Sequence, residues 1–221
     1  MTPPRIRVDL HAHTRRSPDA WTSPVEFVRR AAAAGLDRVA VTDHGRIDGA
    51  REAAVADPER VIVGQEVRCR EEVDLIGLFV HAEIPDHLPA AEVAATIHAQ
   101  GGVVYAPHPF AYRSRAVERA ALVLAVADVV EVFNTRAFLP RWNRRAVMAA
   151  TERGLPGFAS SDAHFPWELG RAWTELPPFD GAASFLAAAR EARPVGRRLG
   201  SPLLHVASIA LSLVRGGRID L

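Results

Sequence analysis

Short apolar runs alternate along the chain with longer stretches in which apolar residues recur at helical spacing. Seven runs rich in β-branched or apolar residues predict strands, at residues 5–10, 38–44, 60–67, 73–80, 103–109, 127–134 and 155–164. Four stretches between these runs predict helices, at residues 23–36, 47–56, about 90–100 and 141–154. Strands that alternate with helices in this way indicate parallel βαβ units buried on both faces.

The number of predicted strands favours a single barrel over two small domains. Seven strands within residues 5–164 fit a closed or nearly closed α/β barrel, and neither a repeat nor a Gly/Ser linker interrupts them. A further helix at 181–192 and a tail at 193–221, first basic and then apolar, are expected to form an appended cover. We expect the apolar face of this tail to pack on the barrel; a partner or a membrane surface is the alternative.

The basic residues of the chain are all arginine, which excludes several catalytic mechanisms. The 221 residues include 27 Lys and Arg together, and none of these is lysine. Schiff-base chemistry, pyridoxal phosphate attachment and the P-loop each require a lysine, so these mechanisms are excluded. A hydrophobic content of 48% and a net charge of +1 indicate neither a disordered chain nor a polyanion-binding tail.

The expected location of the protein follows from its cysteine content and its apolar segments. Cys69 has no second cysteine with which to pair, which suits a reducing cytoplasm. No apolar signal-peptide core precedes the first motif, and the apolar segment 202–214 is shorter than the ~20 residues of a membrane-spanning helix. We therefore expect a cytoplasmic protein that does not bind membranes, and the sequence leaves its oligomeric state open.

Five of the predicted strands end in histidine, aspartate or glutamate. The runs "RIRVDLHAH", "RVAVTDH", "VIVGQE", "VVYAPH" and "GFASSDAH" end on His11 and His13, Asp43 and His44, Glu66, His108, and Asp162 and His164. In α/β barrels the carboxyl ends of the strands form one face, where active sites lie. The five strand ends are therefore predicted to meet in one cluster of imidazoles and carboxylates.

A single histidine at a strand end is more often a hydrogen-bonded structural residue than a metal ligand. His81, His87, His98 and His205 are placed in that class, because no acidic residue lies near them at ligand spacing. Five coincident strand ends are different, since so much buried charge is costly unless a cation compensates for it. A structural network without metal is the alternative.

The donor types indicate which metals the cluster would bind. Histidine and carboxylate without thiolate favour zinc, manganese or iron. The donors outnumber what one tetrahedral ion can bind, so two or three ions are predicted, roughly 3.5–4 Å apart and bridged by a carboxylate. A water bridging such ions is deprotonated near neutral pH and becomes a hydroxide nucleophile. This chemistry needs no serine, cysteine or lysine.

Four motifs in the order "DLHAHT", "TDHG", "APHP" and "SDAH" resemble those of the PHP (polymerase and histidinol phosphatase) family. The likeness covers about residues 6–176, and "SSDAHFPWELGRAWTEL" is similar to the C-terminal part of a stand-alone branch of that family. The resemblance implies a distorted (β/α)7 TIM-like barrel with a trinuclear metal site, in a family whose characterised members mostly hydrolyse phosphoesters. On this basis we expect the barrel over residues 1–176 and a short helical cover, part of the same globule, over residues 177–221.

The resemblance also implies how the ligands are shared among three ions. The implied sets are His11, His13, Glu66 and Asp162 for the first ion, Glu66 and His108 for the second, and His44, His164 and Asp19 for the third. Asp43 is implied to orient a ligand imidazole rather than to bind an ion. The chain departs from the family's pattern at Asp74, where many members have a histidine. Aspartate can bind the same ions, so Asp74 is a further candidate ligand of the second ion.

Phosphate recognition is expected from arginine, whose planar fork matches phosphate oxygens. Arg15 follows the first motif, and Asn134 and Arg136 lie at a strand end, so these three are candidate substrate-binding residues. The leading hypothesis is a metal-dependent phosphoesterase that acts on a small phosphomonoester or nucleotide. The alternatives are a 5′-3′ exonuclease on short oligonucleotides, a C–N amidohydrolase and a non-catalytic metal-binding module.

Overall fold

The strands are short and mostly apolar, and those that the structure describes belong to one sheet. The computed structural model describes residues 4–111, 116–196 and 198–216. Its strands are β1 (Ile6–Asp9), β2 (Arg38–Val41), β3 (Val61–Arg68), β4 (Asp74–Leu78), β5 (Val103–Ala106), β6 (Val129–Asn134), β7 (Gly157–Ser160), β8 (Ala172–Leu176) and β9 (Arg193–Gly196).

The helices mostly follow strands, as the sequence pattern predicts. They are α1 (Pro24–Ala33), α2 (Asp48–Ala56), α3 (Ala90–Ala99), α4 (Ala116–Val126), α5 (Pro140–Arg153), α6 (Ala182–Ala189) and α7 (Pro202–Val214). The Ser23 side chain caps α1 by accepting a hydrogen bond from the Glu26 amide, and Pro24 occupies the first turn. None of these described helices has both the length and the hydropathy needed to cross a membrane.

The sheet closes on itself almost completely. Its order is β7-β6-β5-β4-β3-β2-β1-β8-β9, in which β1, β2 and β3 are parallel, as are β5, β6 and β7. Backbone hydrogen bonds from His13 N to Ala163 O and from Asp162 N to His11 O join the end of β1 to the end of β7. The predicted α/β barrel is therefore confirmed, and the carboxyl ends of the parallel strands meet at one end of it.

Three features differ from the simple alternation that the sequence predicts. β4 runs antiparallel to β3 and β5, because only residues 69–73 connect β3 to β4 and a parallel crossover needs a dozen or more residues. β8 and β9 add antiparallel strands beyond β1, so the described sheet has nine strands rather than seven, and β9 lies in the segment expected to be a helical cover. α4 occupies a stretch in which no helix is predicted.

The barrel interior is apolar at one end and polar at the other. Ile62, Ile76 and Tyr105 belong to a buried apolar cluster inside the sheet, while separate apolar clusters lie between the strands and the surrounding helices. Phe185 of α6 packs on Phe158 and belongs to the interior cluster. Because Phe158 lies at the start of β7, α6 fills the end of the barrel at which the parallel strands begin. The opposite end is left to polar residues.

Helix α7 packs in the opposite sense from the one expected. Its buried residues are Ser208 and Ser212, whereas Leu203 and Val214 are 75% and 85% exposed. The hydroxyl of Ser208 accepts a hydrogen bond of 2.8 Å from Nη2 of Arg136, which follows β6 at the polar end of the barrel. The expectation that the apolar face of the tail packs on the barrel is therefore wrong. The surface beneath α7 is polar, so the helix turns its serines inward.

Candidate metal centre

The polar end of the barrel collects the side chains that end five strands. The ligand atoms of three groups lie within 4.8 Å of one another, and these groups are His11–His13–Asp162, His11–Glu66–His108 and His13–His44–His164. The ligands follow or lie on five strands: β1 precedes His11 and His13, β2 precedes His44, β3 carries Glu66, β5 precedes His108, and β7 precedes Asp162 and His164. The structure thus brings together seven residues that the sequence places at five strand ends.

His11, His13 and Asp162 form the most buried of these groups. Nε2 of His11 lies 3.1 Å from Nε2 of His13 and 3.5 Å from Oδ1 of Asp162, and Nε2 of His13 lies 3.4 Å from the same oxygen. Two imidazole nitrogens and a carboxylate oxygen that point at one position are a typical donor set for zinc, manganese or iron.

Glu66 stands between the groups and divides its two oxygens among them. Oε2 lies 3.2 Å from Nε2 of His11, 3.4 Å from Nε2 of His13 and 3.2 Å from Nδ1 of His44. Oε1 lies 3.3 Å from Nε2 of His108. A carboxylate shared in this manner has the arrangement of a bridging ligand between two cations.

Asp19 completes the third group and carries a polar atom that needs a partner. Oδ2 of Asp19 lies 2.9 Å from Nε2 of His164 and 3.5 Å from Nε2 of His44. Oδ1 is buried without a hydrogen-bond partner among the described residues. Because a buried carboxylate oxygen without a partner is costly, a cation bound here fits the donor set that is present.

Two histidines of the third group, His44 and His13, have very different pKa values. Glu66 and Asp19 raise the pKa of His44 to about 10, although burial alone would lower it. Burial, followed by the charge of His164, lowers the pKa of His13 to about 3. In the absence of bound ions, His13 is therefore neutral at pH 7 while His44 holds a proton that an ion must displace.

Two of the clustered residues have a backbone conformation that L-residues rarely adopt. His108 and Asp162 have φ values of 26° and 52°, in the left-handed region. Each is held by its amide: His108 N donates to Oε2 of Glu131 at 2.6 Å, and Asp162 N donates to the His11 carbonyl at 2.8 Å. Such strain costs on the order of 1–3 kcal/mol per residue and is concentrated at functional sites.

Glu131 of β6 contacts the cluster and is not among the site residues predicted from the sequence. Its Oε1 lies 3.2 Å from Nδ1 of His11, and both side chains are completely buried. A carboxylate bound to one ring nitrogen fixes the tautomer and directs the other nitrogen toward a metal. Asn134, predicted to bind substrate, instead donates from Nδ2 to Glu131 at 2.9 Å and to Oδ2 of Asp162 at 3.1 Å. The feature of the sequence that points to Glu131 is its position as a single charged residue inside the apolar strand "VVEVFN".

Asp43 orients an imidazole through an intermediate residue. Its carboxylate accepts hydrogen bonds from the Thr14 amide at 2.7 Å, the Thr14 hydroxyl at 2.6 Å and the Ser17 hydroxyl at 2.8 Å. Oγ of Ser17 lies 3.4 Å from Nδ1 of His13 and accepts a bond from the His44 amide. Asp43 therefore lies behind the cluster and contacts the ring of His13 through Ser17.

Two further buried carboxylates, neither proposed from the sequence, hold the loop after β7. Asp9 accepts hydrogen bonds from the Ser161 amide and hydroxyl at 3.1 and 2.5 Å, and burial raises its pKa to about 7. Glu168 accepts bonds from the His164 amide at 3.0 Å and from Nη1 of Arg136 at 3.1 Å. Both carboxylates fix the backbone from which the last two predicted ligands project.

Asp74 lies beside the cluster but outside its three groups. Its Oδ1 lies 2.8 Å from Nε of Arg68, two residues after Glu66 on β3. Both Asp74 and Arg68 line the same cavity as Glu66 and His108. The candidate second-ion ligand is therefore ion-paired with an arginine.

A cavity of about 840 Å³ opens above the cluster. Arg68, Arg136 and Arg141 are among its lining residues, together with α7 residues His205 and Ser208. His87 and His205, which were placed in the class of structural histidines, also line the cavity. Arg136, a candidate substrate-binding residue, also lines the cavity, and its guanidinium is bound to Glu168 and Ser208. Arg15 is exposed and is not part of the lining.

Comparison with known proteins agrees with this geometry. Residues 9–128 match the PHP domain, and residues 140–194 match the PHP-associated family. The chain belongs to the PHP family. A protein of Methanocaldococcus jannaschii named only as uncharacterized is 34% identical over 142 residues, which are 58% of this chain and 82% of that relative.

Solved structures share the fold of this PHP protein at low sequence identity. A two-domain protein of Bacteroides vulgatus, described as containing a predicted PHP-like metal-dependent phosphoesterase, is 18% identical with a TM-score of 0.69. That likeness covers 94% of this chain and 70% of the other. The lesion-specific endonuclease PfuEndoQ of Pyrococcus furiosus is 19% identical with a TM-score of 0.65, over 89% of this chain and 60% of the other.

Proposed function

We propose that this PHP protein is a divalent-metal-dependent phosphoesterase that hydrolyses a small phosphomonoester or nucleotide. The observation that carries the proposal is the convergence of imidazole and carboxylate donors from five strand ends around the shared carboxylate of Glu66. The buried Oδ1 of Asp19, which lacks a partner among the described residues, supports a cation in the same place.

The donor set suits two or three ions of zinc, manganese or iron. The residues that would hold them are His11, His13 and Asp162, then Glu66 and His108, then His44, His164 and Asp19. When bound, such ions polarise a phosphoryl oxygen and lower the pKa of a coordinated water. Glu131 keeps the ring of His11 oriented, and Asn134 keeps Asp162 oriented.

The cavity favours a small anionic substrate. Its volume of about 840 Å³ lies within the range of small-molecule sites, and α7 forms part of its outer wall. Three arginines, Arg68, Arg136 and Arg141, line it, and guanidinium groups match phosphate oxygens better than a neutral amide. A phosphoester is therefore preferred to the C–N substrate of an amidohydrolase.

The test is phosphate release by metal-loaded protein. The protein is stripped with a chelator, reloaded with Mn²⁺, Zn²⁺ or Fe²⁺, and assayed on p-nitrophenyl phosphate and nucleoside monophosphates. His11→Ala should abolish hydrolysis while the fold is retained. His98→Ala, which removes a surface histidine paired with Asp128, is the matched control and should be fully active. Failure of the loaded protein to hydrolyse any phosphoester would falsify the proposal.

The same metal-loaded protein also distinguishes a phosphomonoesterase from the alternative, a 5′-3′ exonuclease. PfuEndoQ, which shares the fold, is an endonuclease, so a nucleic acid substrate is tested directly. A short labelled oligonucleotide is incubated with the metal-loaded protein. The release of mononucleotides is then compared with the release of phosphate from phosphomonoesters. Mononucleotide release without monoester hydrolysis would move the assignment to the exonuclease.

A further inference from the structure

The β3–β4 hairpin ends in an arginine–aspartate pair at the edge of the metal cluster. Arg68 and Asp74 lie directly opposite each other in the antiparallel register, with Nε and Oδ1 2.8 Å apart. Side chains two residues apart on a strand project on the same face, so Arg68 lies on the face of Glu66. The side chains of Arg68 and Asp74 are only 19% and 8% exposed, and both line the cavity.

Asp74 is better placed to hold the arginine than to bind an ion. It belongs to none of the three groups of clustered ligand atoms found among the described residues. A carboxylate 2.8 Å from a guanidinium has its charge compensated by a group that cannot lose its proton. This arrangement places a permanent cation on the same face of β3 as Glu66.

Arg136, a second arginine of the cavity lining, has different partners. Nη1 of Arg136 contacts both oxygens of Glu168, and Nη2 donates to Ser208 of α7. Those contacts fix the loop after β7 and attach α7 to the barrel. In the Arg68 pair, Nε of the guanidinium lies 2.8 Å from Oδ1 of Asp74.

We propose that Arg68 binds a phosphoryl oxygen of the substrate and that Asp74 is its positioning residue rather than a metal ligand. The inference rests on the proposed phosphoesterase function, and it identifies the residues that recognise the phosphoryl group. A guanidinium held in one orientation binds a phosphate with less loss of side-chain freedom than a mobile arginine.

Element-resolved metal analysis and phosphate binding test the two roles separately. The variants are Arg68→Gln and Asp74→Asn, each measured for bound ions per chain, for the Kd of inorganic phosphate by calorimetry, and for KM with p-nitrophenyl phosphate. Both variants should keep the full complement of ions. Arg68→Gln should weaken phosphate binding and raise KM about tenfold or more, and Asp74→Asn should do so to a smaller extent.

An exposed arginine–aspartate pair supplies the matched control. Arg46 and Asp48 are ion-paired at 2.6 Å on the surface, and Arg46→Gln and Asp48→Asn should change neither ion content nor phosphate affinity. Loss of one ion per chain in Asp74→Asn would show that Asp74 is a ligand and would overturn the proposal. An unchanged phosphate Kd in Arg68→Gln, or no phosphate binding by the loaded protein, would also overturn it. Phosphate binding through Arg68 without any hydrolysis would instead leave this inference standing and remove the proposed function.

Discussion

Oε1 of Glu131 lies 3.2 Å from Nδ1 of His11 in the fully buried interior behind the cluster of imidazoles and carboxylates. The same carboxylate accepts a hydrogen bond from the His108 amide through its other oxygen, at 2.6 Å. One side chain on β6 therefore orients two candidate ligands that belong to different strands. Its removal should disturb the cluster without removing any ligand.

Glu131→Gln should weaken metal binding by roughly 10- to 100-fold, because the ring of His11 loses the carboxylate that fixes its tautomer. Competition with a metallochromic chelator measures the affinity. Glu152→Gln, which alters an exposed glutamate on α5, is the control and should bind metal as the native protein does. Native affinity in Glu131→Gln would show that the contact does not orient a ligand.

Metal removal should lower the melting temperature. At a free ion concentration one thousand times the Kd, binding contributes about 4 kcal/mol to the free energy of unfolding. For a chain of this size that corresponds to a rise in Tm of about 8–16 °C, measurable by calorimetry with and without chelator. His11→Ala should lose most of this shift and His98→Ala should keep it. Equal Tm values in both conditions would argue against ion binding in the folded state.

Metal binding should release protons, and the affinity should rise with pH. The pKa of His44 is raised to about 10, so the ring is protonated at neutral pH in the absence of ions. Because an ion and a proton compete for the same nitrogen, affinity should increase as the pH rises from about 6 toward 9. Titration calorimetry in buffers of different ionisation enthalpy counts the protons. His13, with its pKa lowered to about 3, should contribute none at neutral pH. His44→Gln should therefore release fewer protons than the native protein, and equal release would contradict the assignment.

Gly49→Ala should destabilise the protein and weaken metal binding. A Cβ atom at position 49 would lie 2.2 Å from Oδ2 of Asp43 and 2.7 Å from Oγ1 of Thr14. Overpacking of this kind costs about 1–3 kcal/mol, and here it displaces the carboxylate that supports Ser17 and His13. Urea unfolding and metal titration measure the two effects. Gly181→Ala, at a position with open space, should change neither by a comparable amount.

The cluster could be predicted from the sequence because its geometry depends on two simple regularities. Parallel strands of a barrel end on one face, so motifs at strand ends meet in space however far apart they lie in the chain. His11, His108 and Asp162 follow β1, β5 and β7, and their ligand atoms fall in overlapping groups. Alternation along the extended segment after β1, where Ala12 bridges to Ala163, accounts for the shared direction of His11 and His13.

Features that depend on pairing partners were harder to predict. Glu131 is a lone charge in an apolar strand, and its role depends on which strand end faces β6. The ion pair of Arg68 with Asp74 depends on the register of an antiparallel hairpin, which the short connection at 69–73 indicates only in retrospect. The orientation of α7 depends on the polarity of the surface that it covers. The hydropathy pattern of the helix itself does not indicate how polar that surface is.

Helix α6 fills the far end of the barrel with Phe185, whereas the cavity beside α7 opens onto the cluster of imidazoles and carboxylates. In the proposed function, substrate, product and ions would pass through this cavity, and an anion bound in it would obstruct the exit of the ions behind it. Excess inorganic phosphate should accordingly slow the removal of metal by a chelator, so that bound product would protect the enzyme against loss of its ions.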